Sequence, residues 1–192
     1  MRKRRFEWNP ILAAILVLIG CSLTVAFAGE GVDAAGVLEK LKGLEGTWHG
    51  EARQVGGPAE GETTFPVTHE FRVSAAGSVV MEIMGPGTDH EMINMFHLDG
   101  QDLVLTHYCA AGNQPSMRLD RSGSSPDSLK FNFAGGTNLD PAVDQHIHDS
   151  QIVFADGGAV ESLWTAYIQG KESSVMKFTL HPAKSPDPDD QR

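Results

Sequence analysis

The 192-residue chain carries 15 basic and 25 acidic side chains, a formal charge of −10, and four of the basic ones fall in the first five residues. Beyond residue 28 the balance sharpens to 11 basic against 24 acidic, a formal charge of −13, which repels a phosphate backbone and argues against nucleic acid as a partner. That stretch is long enough for one domain with its own core, and once Cys21 is removed or lipidated, Cys109 has no partner for an internal disulfide.

Residues 1–28 read as an export leader, with a basic start followed by an uninterrupted apolar run over residues 11–20. Two cleavage readings compete. Leu18-Ile19-Gly20-Cys21 resembles a bacterial lipobox and would leave a lipid anchor on Cys21, the one route by which this chain meets a membrane; Ala26-Phe27-Ala28 is an A-x-A site that would release a soluble protein. Residues 11–28 are short for a membrane span, and both readings place the chain in the periplasm or cell envelope.

Residues 29–46 form the one helical segment, in which Val37, Leu38, Leu41 and Leu44 recur at three- and four-residue spacing and Asp33 is placed to cap. The period then changes to two for the rest of the domain, residues 47–182. Residues 47–54 read as a first strand. Phe65, Val67, His69, Phe71 and Val73 then alternate with polar neighbours, and Pro66 marks that strand as an edge or a bulge. Val79, Met81 and Ile83 are the expected inward set of the next strand.

Residues 89–109 read as two strands joined at Asp99-Gly100, because Asp-Gly between strand-forming runs is a strong hairpin signal. Its register stays open. A two-residue loop pairs His90 with Cys109 and Met92 with His107, whereas a three-residue loop pairs Glu91 with His107. Under either register Leu103, Leu105, His107 and Cys109 share one face, taken as inward. Pro115, Met117 and Leu119, then Leu129, Phe131 and Phe133, continue the alternation. Residues 135–144 form a longer loop before three more strands, the last with Met176, Phe178 and Leu180 inward. Residues 183–192 are polar and proline-rich and are expected to be disordered.

About ten short strands with sequential turns and no crossover helices specify an all-β fold, an antiparallel up-and-down barrel with one short N-terminal helix. Gly46-Thr47-Trp48-His49-Gly50, at the head of the first strand, resembles the opening of the calycin superfamily of lipocalins and fatty-acid-binding proteins, and is similar to the G-x-W-x-G of nitrobindin-like haem-binding barrels. The tract Thr106-His107-Tyr108-Cys109-Ala110-Ala111-Gly112-Asn113-Gln114-Pro115 resembles a family of uncharacterised exported bacterial proteins with a calycin-like barrel. The resemblance implies a ligand-holding barrel, with haem as one candidate ligand. Ala52 stands where nitrobindins have a further glycine, and His181, the histidine nearest the expected axial ligand, alternates with inward residues and should face outward.

The chemistry concentrates on a few side chains. His107 and Cys109 are soft donors on one strand face, and His69 is a third, which makes these three the candidate ligands for a transition metal or haem iron. His90 or Glu91 joins them according to the hairpin register. Asn113 and Gln114 follow Gly112 in a turn that places their amides at the rim. The same residues also read as a satisfied core histidine and a small buried cysteine. His146 and His148 have a metal-ligand spacing, but their polar flanks favour a solvated strand edge. No G-x-S-x-G, Walker, G-x-G-x-x-G, C-x-x-C or H-E-x-x-H motif is present. The leading expectation is a non-catalytic exported module that holds a small apolar or haem-like molecule; a metal- or thiol-dependent enzyme using His107 and Cys109, and a structural envelope protein, are the alternatives.

Overall fold

The computed structural model describes residues 31–56 and 62–183, so the leader, the loop after Gly56 and most of the expected disordered tail lie outside the described residues. A helix, α1 (Ala34–Lys42), precedes ten strands: β1 (Gly46–Gly56), β2 (Glu62–Ser74), β3 (Val79–Met84), β4 (Met92–Asp99), β5 (Asp102–Tyr108), β6 (Gln114–Leu119), β7 (Ser128–Thr137), β8 (His146–Phe154), β9 (Val160–Ile168) and β10 (Lys171–Pro182). Each strand pairs antiparallel with its sequence neighbours, and β1 pairs with β10 to close the barrel. The expected up-and-down barrel with a short helix is the observed fold.

The helix is shorter than residues 29–46. Asp33 caps it by accepting from the Ala35 and Gly36 amides, and its apolar stripe of Val37, Leu38 and Leu41 is buried. That stripe packs against β2 to β5, and the Lys40 ammonium ties the helix to Asp127 in the turn after β6 at 2.7 Å. The helix therefore plugs the end of the barrel where β2 finishes and β3 begins. Trp48 closes the same region, with its indole Nε1 donating to the Leu44 carbonyl at 2.7 Å. Phe71, Phe96, Leu105, Met117, Phe131 and Leu180 fill the middle. The other end, where β1, β3, β5, β7 and β9 finish, stays open.

Two expectations are corrected here. The β4–β5 hairpin turns at Gly100-Gln101, with Asp99 opposite Asp102 and Asn94 opposite His107. Gly100 takes φ 64° at the first central position, the position at which a type II′ turn uses glycine. This register is two residues away from the His90–Cys109 pairing, so the side-chain faces are kept, and the pairing of Glu91 with His107 does not occur. The second correction is in β3. Val80, Glu82 and Met84 face inward, opposite Val73, Phe71 and His69, while Val79, Met81 and Ile83 take the outer face. Both faces of this strand are apolar apart from Glu82, so hydrophobic alternation alone could not choose between them. The inward face is the one that carries Glu82, whose carboxylate meets His69 Nδ1 and Asn94 Nδ2 there.

Pro66 behaves as expected. Strand β2 pairs with β3 only from His69 onward, so Pro66 lies on the stretch whose other side is an unpaired edge, where a missing N–H costs nothing.

Candidate functional site

Four polar side chains cross the barrel interior on four consecutive strands: His69 on β2, Glu82 on β3, Asn94 on β4 and His107 on β5. All are at most 3% exposed. His69 Nδ1 lies 2.7 Å from Glu82 Oε1, Asn94 Nδ2 donates to Glu82 Oε2 at 2.8 Å, and His107 Nδ1 lies 2.7 Å from Asn94 Oδ1. The proton positions follow from the partners. A carboxylate accepts only, so Asn94 turns its amide N–H to Glu82 and its oxygen to His107, which must then donate from Nδ1. His69 likewise donates from Nδ1. Each imidazole is left with Nε2 as its free nitrogen, and that of His107 is buried without a partner.

The register explains the layout. Glu82 sits opposite Asn94 and Asn94 opposite His107, so these three form one transverse row. One step nearer the open end, His69 is opposite Met84 and Met84 opposite Met92, forming a second row. His69 reaches back across to Glu82, and the Met84 sulfur accepts from Asn94 Nδ2 at 3.2 Å. The second row is the floor of a cavity of about 870 Å³ at the open end, with Val67, Met176 and Phe178 among its apolar walls. His49, His90 and Thr68 add polar groups to the lining.

Of the expected site residues, the structure brings His69 and His90 to this cavity and sets His107 one row beneath it. The others stand apart. Glu91 is exposed and accepts from the Gly87 amide at 2.6 Å. Strand β5 stops at Tyr108, so Cys109 enters a turn in which its carbonyl accepts from Gly112; it is half-buried, and Ala110 meets the cavity instead. Asn113 is buried and donates to the Gln145 carbonyl at 2.8 Å, while Gln114 Oε1 accepts from Thr137 and Asn138. These two amides tie the β5–β6 turn to the loop before β8. His69, His107 and Cys109 do not converge, and among the described residues no three His, Cys, Asp or Glu side chains form a cation site.

His146 and His148 are not a solvated edge. His146 is 2% exposed, its Nδ1 donates to the Asp144 carbonyl at 2.9 Å, and its Nε2 accepts from His148 Nδ1 at 3.1 Å. A bulge between Ile147 and Asp149 turns His148 onto Tyr167, ring centroids 4.0 Å apart, and Phe133, 4.6 Å. Partial burial there pushes the His148 imidazole below its ordinary range, offset by Asp149 and reinforced by His146. A second concavity, of about 750 Å³, includes Gly31, Asp120 and Asn132 in its lining. Its Arg118 is already paired with Asp99 and Asp102 at 2.7 and 2.8 Å.

The sequence reading missed Glu82 and Asn94. The signal was present: each is a lone polar residue inside an apolar strand run, and such a residue must find a partner if it is buried.

Burial pushes the His107 imidazole down to about 4, against a weaker upward pull from Glu82. The native state thus refuses a proton that the unfolded chain accepts near pH 6.5. Stability is unaffected above that pH and falls as pH drops from about 6.5 to about 4, a loss of roughly 3 kcal/mol from this group. The difference in urea midpoint between wild type and His107→Gln, which keeps a donor for Asn94, is expected to narrow or reverse from pH 7 to pH 4.5. Equal acid sensitivity of the two proteins would refute the assignment.

No protein-family model matches the chain, and no curated protein is significantly similar to it. Among solved structures it is similar to a protein of unknown function from the DUF3598 family of Nostoc punctiforme PCC 73102, at 12% identity and TM-score 0.44, over 74% of this chain and 49% of that one; the chain thus spans about half the length of that protein. It is also similar to Rv2717c from M. tuberculosis, at 14% identity and TM-score 0.50, over 77% of this chain and 97% of that one. At this identity the likeness is one of fold, and the closed ten-stranded barrel fits a calycin-like architecture.

Proposed function

We propose that this chain is an exported, non-catalytic binding protein that holds a small, largely apolar ligand in the open end of its barrel. The observation that carries the reading is the cavity of about 870 Å³: apolar walls around one imidazole whose tautomer a buried carboxylate fixes. Pockets for small molecules are built in this way, with apolar lining for affinity and a few placed polar groups for orientation. His69 would present Nε2 to the ligand and His90 would orient its polar end, while His49 and Thr68 pair with each other at the outer rim at 3.0 Å. The leader of residues 1–28 supports export, either as a soluble protein or through a lipid on Cys21.

A haem-like ligand is the narrower form of this reading. In that form His69 would hold the iron through Nε2, with Glu82 hydrogen-bonded behind the ring, and His181, exposed on β10, would take no part. A thiol-dependent enzyme gains no support, since Cys109 lies off the cavity lining and apart from the His69–His107 chain.

Titration with an uncharged fluorescent naphthylamine, together with absorbance and native mass spectrometry of protein purified from its own host, tests the proposal. One probe site per chain is expected, weakened at least about tenfold by Val67→Trp, which fills the cavity from β2. A Soret band would identify haem, and a small bound mass another carrier ligand. A barrel that takes up no probe and carries no small molecule would overturn the reading in favour of a structural role.

A further inference from the structure

We propose that the floor of the open end is a soft-cation site, in which the His69 imidazole and the Met84 and Met92 thioethers hold one cuprous ion. The proposal rests on the open end being a binding site. Its geometry comes from the register: His69 is opposite Met84 and Met84 opposite Met92, so the three side chains stand in a row on adjacent strands about 4.8 Å apart, on the same inward face. All three line the cavity. Met side chains have three rotatable bonds, so two of them can converge on an ion beside the imidazole without moving the backbone.

The row beneath anchors two of the three donors. Glu82 Oε1 lies 2.7 Å from His69 Nδ1, and Asn94 Nδ2 is 2.8 Å from Glu82 Oε2 and 3.2 Å from the Met84 sulfur. An imidazole that gives its second N–H to a buried carboxylate has the outer-shell support that metal-binding histidines use, which fixes the ring and raises the basicity of Nε2.

Donor type and charge then select the ion. Two thioethers and a neutral imidazole offer no oxygen to calcium or magnesium and no thiolate to zinc, whereas thioethers are soft ligands suited to cuprous copper. With His69 neutral, the Glu82 carboxylate carries one buried negative charge that its hydrogen bonds stabilise and do not neutralise. A single positive charge at Nε2 balances it, and a divalent ion would leave an excess in an apolar cavity. Met176 and His90 line the same cavity and are placed to close over the ion.

The test uses the full chain with Cys21→Ser and Cys109→Ser, so that no thiol competes, and two probes: silver ion, which needs no reductant, and cuprous ion in competition with bicinchoninate. The expected result is one ion per chain by native mass spectrometry. Met84→Leu and Met92→Leu are near-isosteric and should each weaken binding at least about tenfold, and together abolish it, while Met117→Leu in the apolar core should leave it unchanged. A thiol-free chain that retains no silver, or a Met84/Met92 double variant that retains it fully, would overturn the proposal. The naphthylamine probe is run on the same samples. Probe binding without silver binding overturns the cation site and leaves the ligand-binding reading standing, whereas loss of both overturns the two together.

Discussion

Glu82→Ala is expected to lower the free energy of unfolding by about 3–5 kcal/mol, because it removes one member of a buried, hydrogen-bonded polar cluster and strands the rest. His69 Nδ1 and Asn94 Nδ2 both give their protons to this carboxylate. Neither is within reach of water, since His69 is 1% and Asn94 0% exposed. A Gln at this position behaves differently. Its amide oxygen can satisfy one of the two donors, but its N–H group then faces the other, and the strain is relieved if His69 shifts its proton to Nε2. Glu82→Gln should therefore cost only about 1–2 kcal/mol, while turning the cavity-facing nitrogen from an acceptor into a donor. Urea unfolding ranks the two variants, and nitrogen-15 shifts of the His69 ring report the tautomer. A Glu82→Ala protein with the wild-type midpoint would mean that the carboxylate is not the centre of this cluster.

Gly50→Ala carries the second large effect. Gly50 lies on β1 between Leu180 of β10 and Val67 of β2, at the seam where the two ends of the chain close the barrel. A Cβ built there would fall 1.9 Å from the Thr179 carbonyl oxygen and 3.0 Å from the Leu180 Cα. Both obstacles are backbone, so no rotamer change relieves the clash and β1 must move away from β10. Overpacking usually costs about 1–3 kcal/mol and sometimes more. The upper end is expected here, a fall in melting temperature on the order of 10 °C for a domain of this size. Amide exchange should accelerate first in β10 around Thr179 and Leu180. An unchanged melting temperature would show that the seam has room that the close approach denies. The same contact gives a physical reason for the second glycine of the Gly46-x-Trp48-x-Gly50 opening.

Much of the barrel was legible because its evidence is local. The period of two, the short turns and the missing crossover helices each depend on a few neighbouring residues, and together they leave little but an up-and-down antiparallel barrel. Asp33 as cap and the Val37, Leu38 and Leu41 stripe are local in the same sense. The inward faces of β2, β6 and β10 could be read because polar and apolar residues alternate there. In β3 they do not, since Val79, Val80, Met81, Ile83 and Met84 make both faces apolar.

The fold class, the helix and the strand faces that alternate can be read along the chain alone, because those depend on spacing between near neighbours. The sequence also singled out His69 and His90, two residues of the cavity. Which polar groups meet is set in three dimensions. Whether His69 finds Glu82, whether His107 finds Asn94 or Glu91, and whether Cys109 shares their space depend on register across four strands and on where β5 stops. A shift of one residue reverses a strand's faces and a shift of two changes every partner, while the residues between remain the same. In the observed register both oxygens of the buried Glu82 carboxylate meet a donor, His69 Nδ1 and Asn94 Nδ2, although these residues lie far apart along the chain.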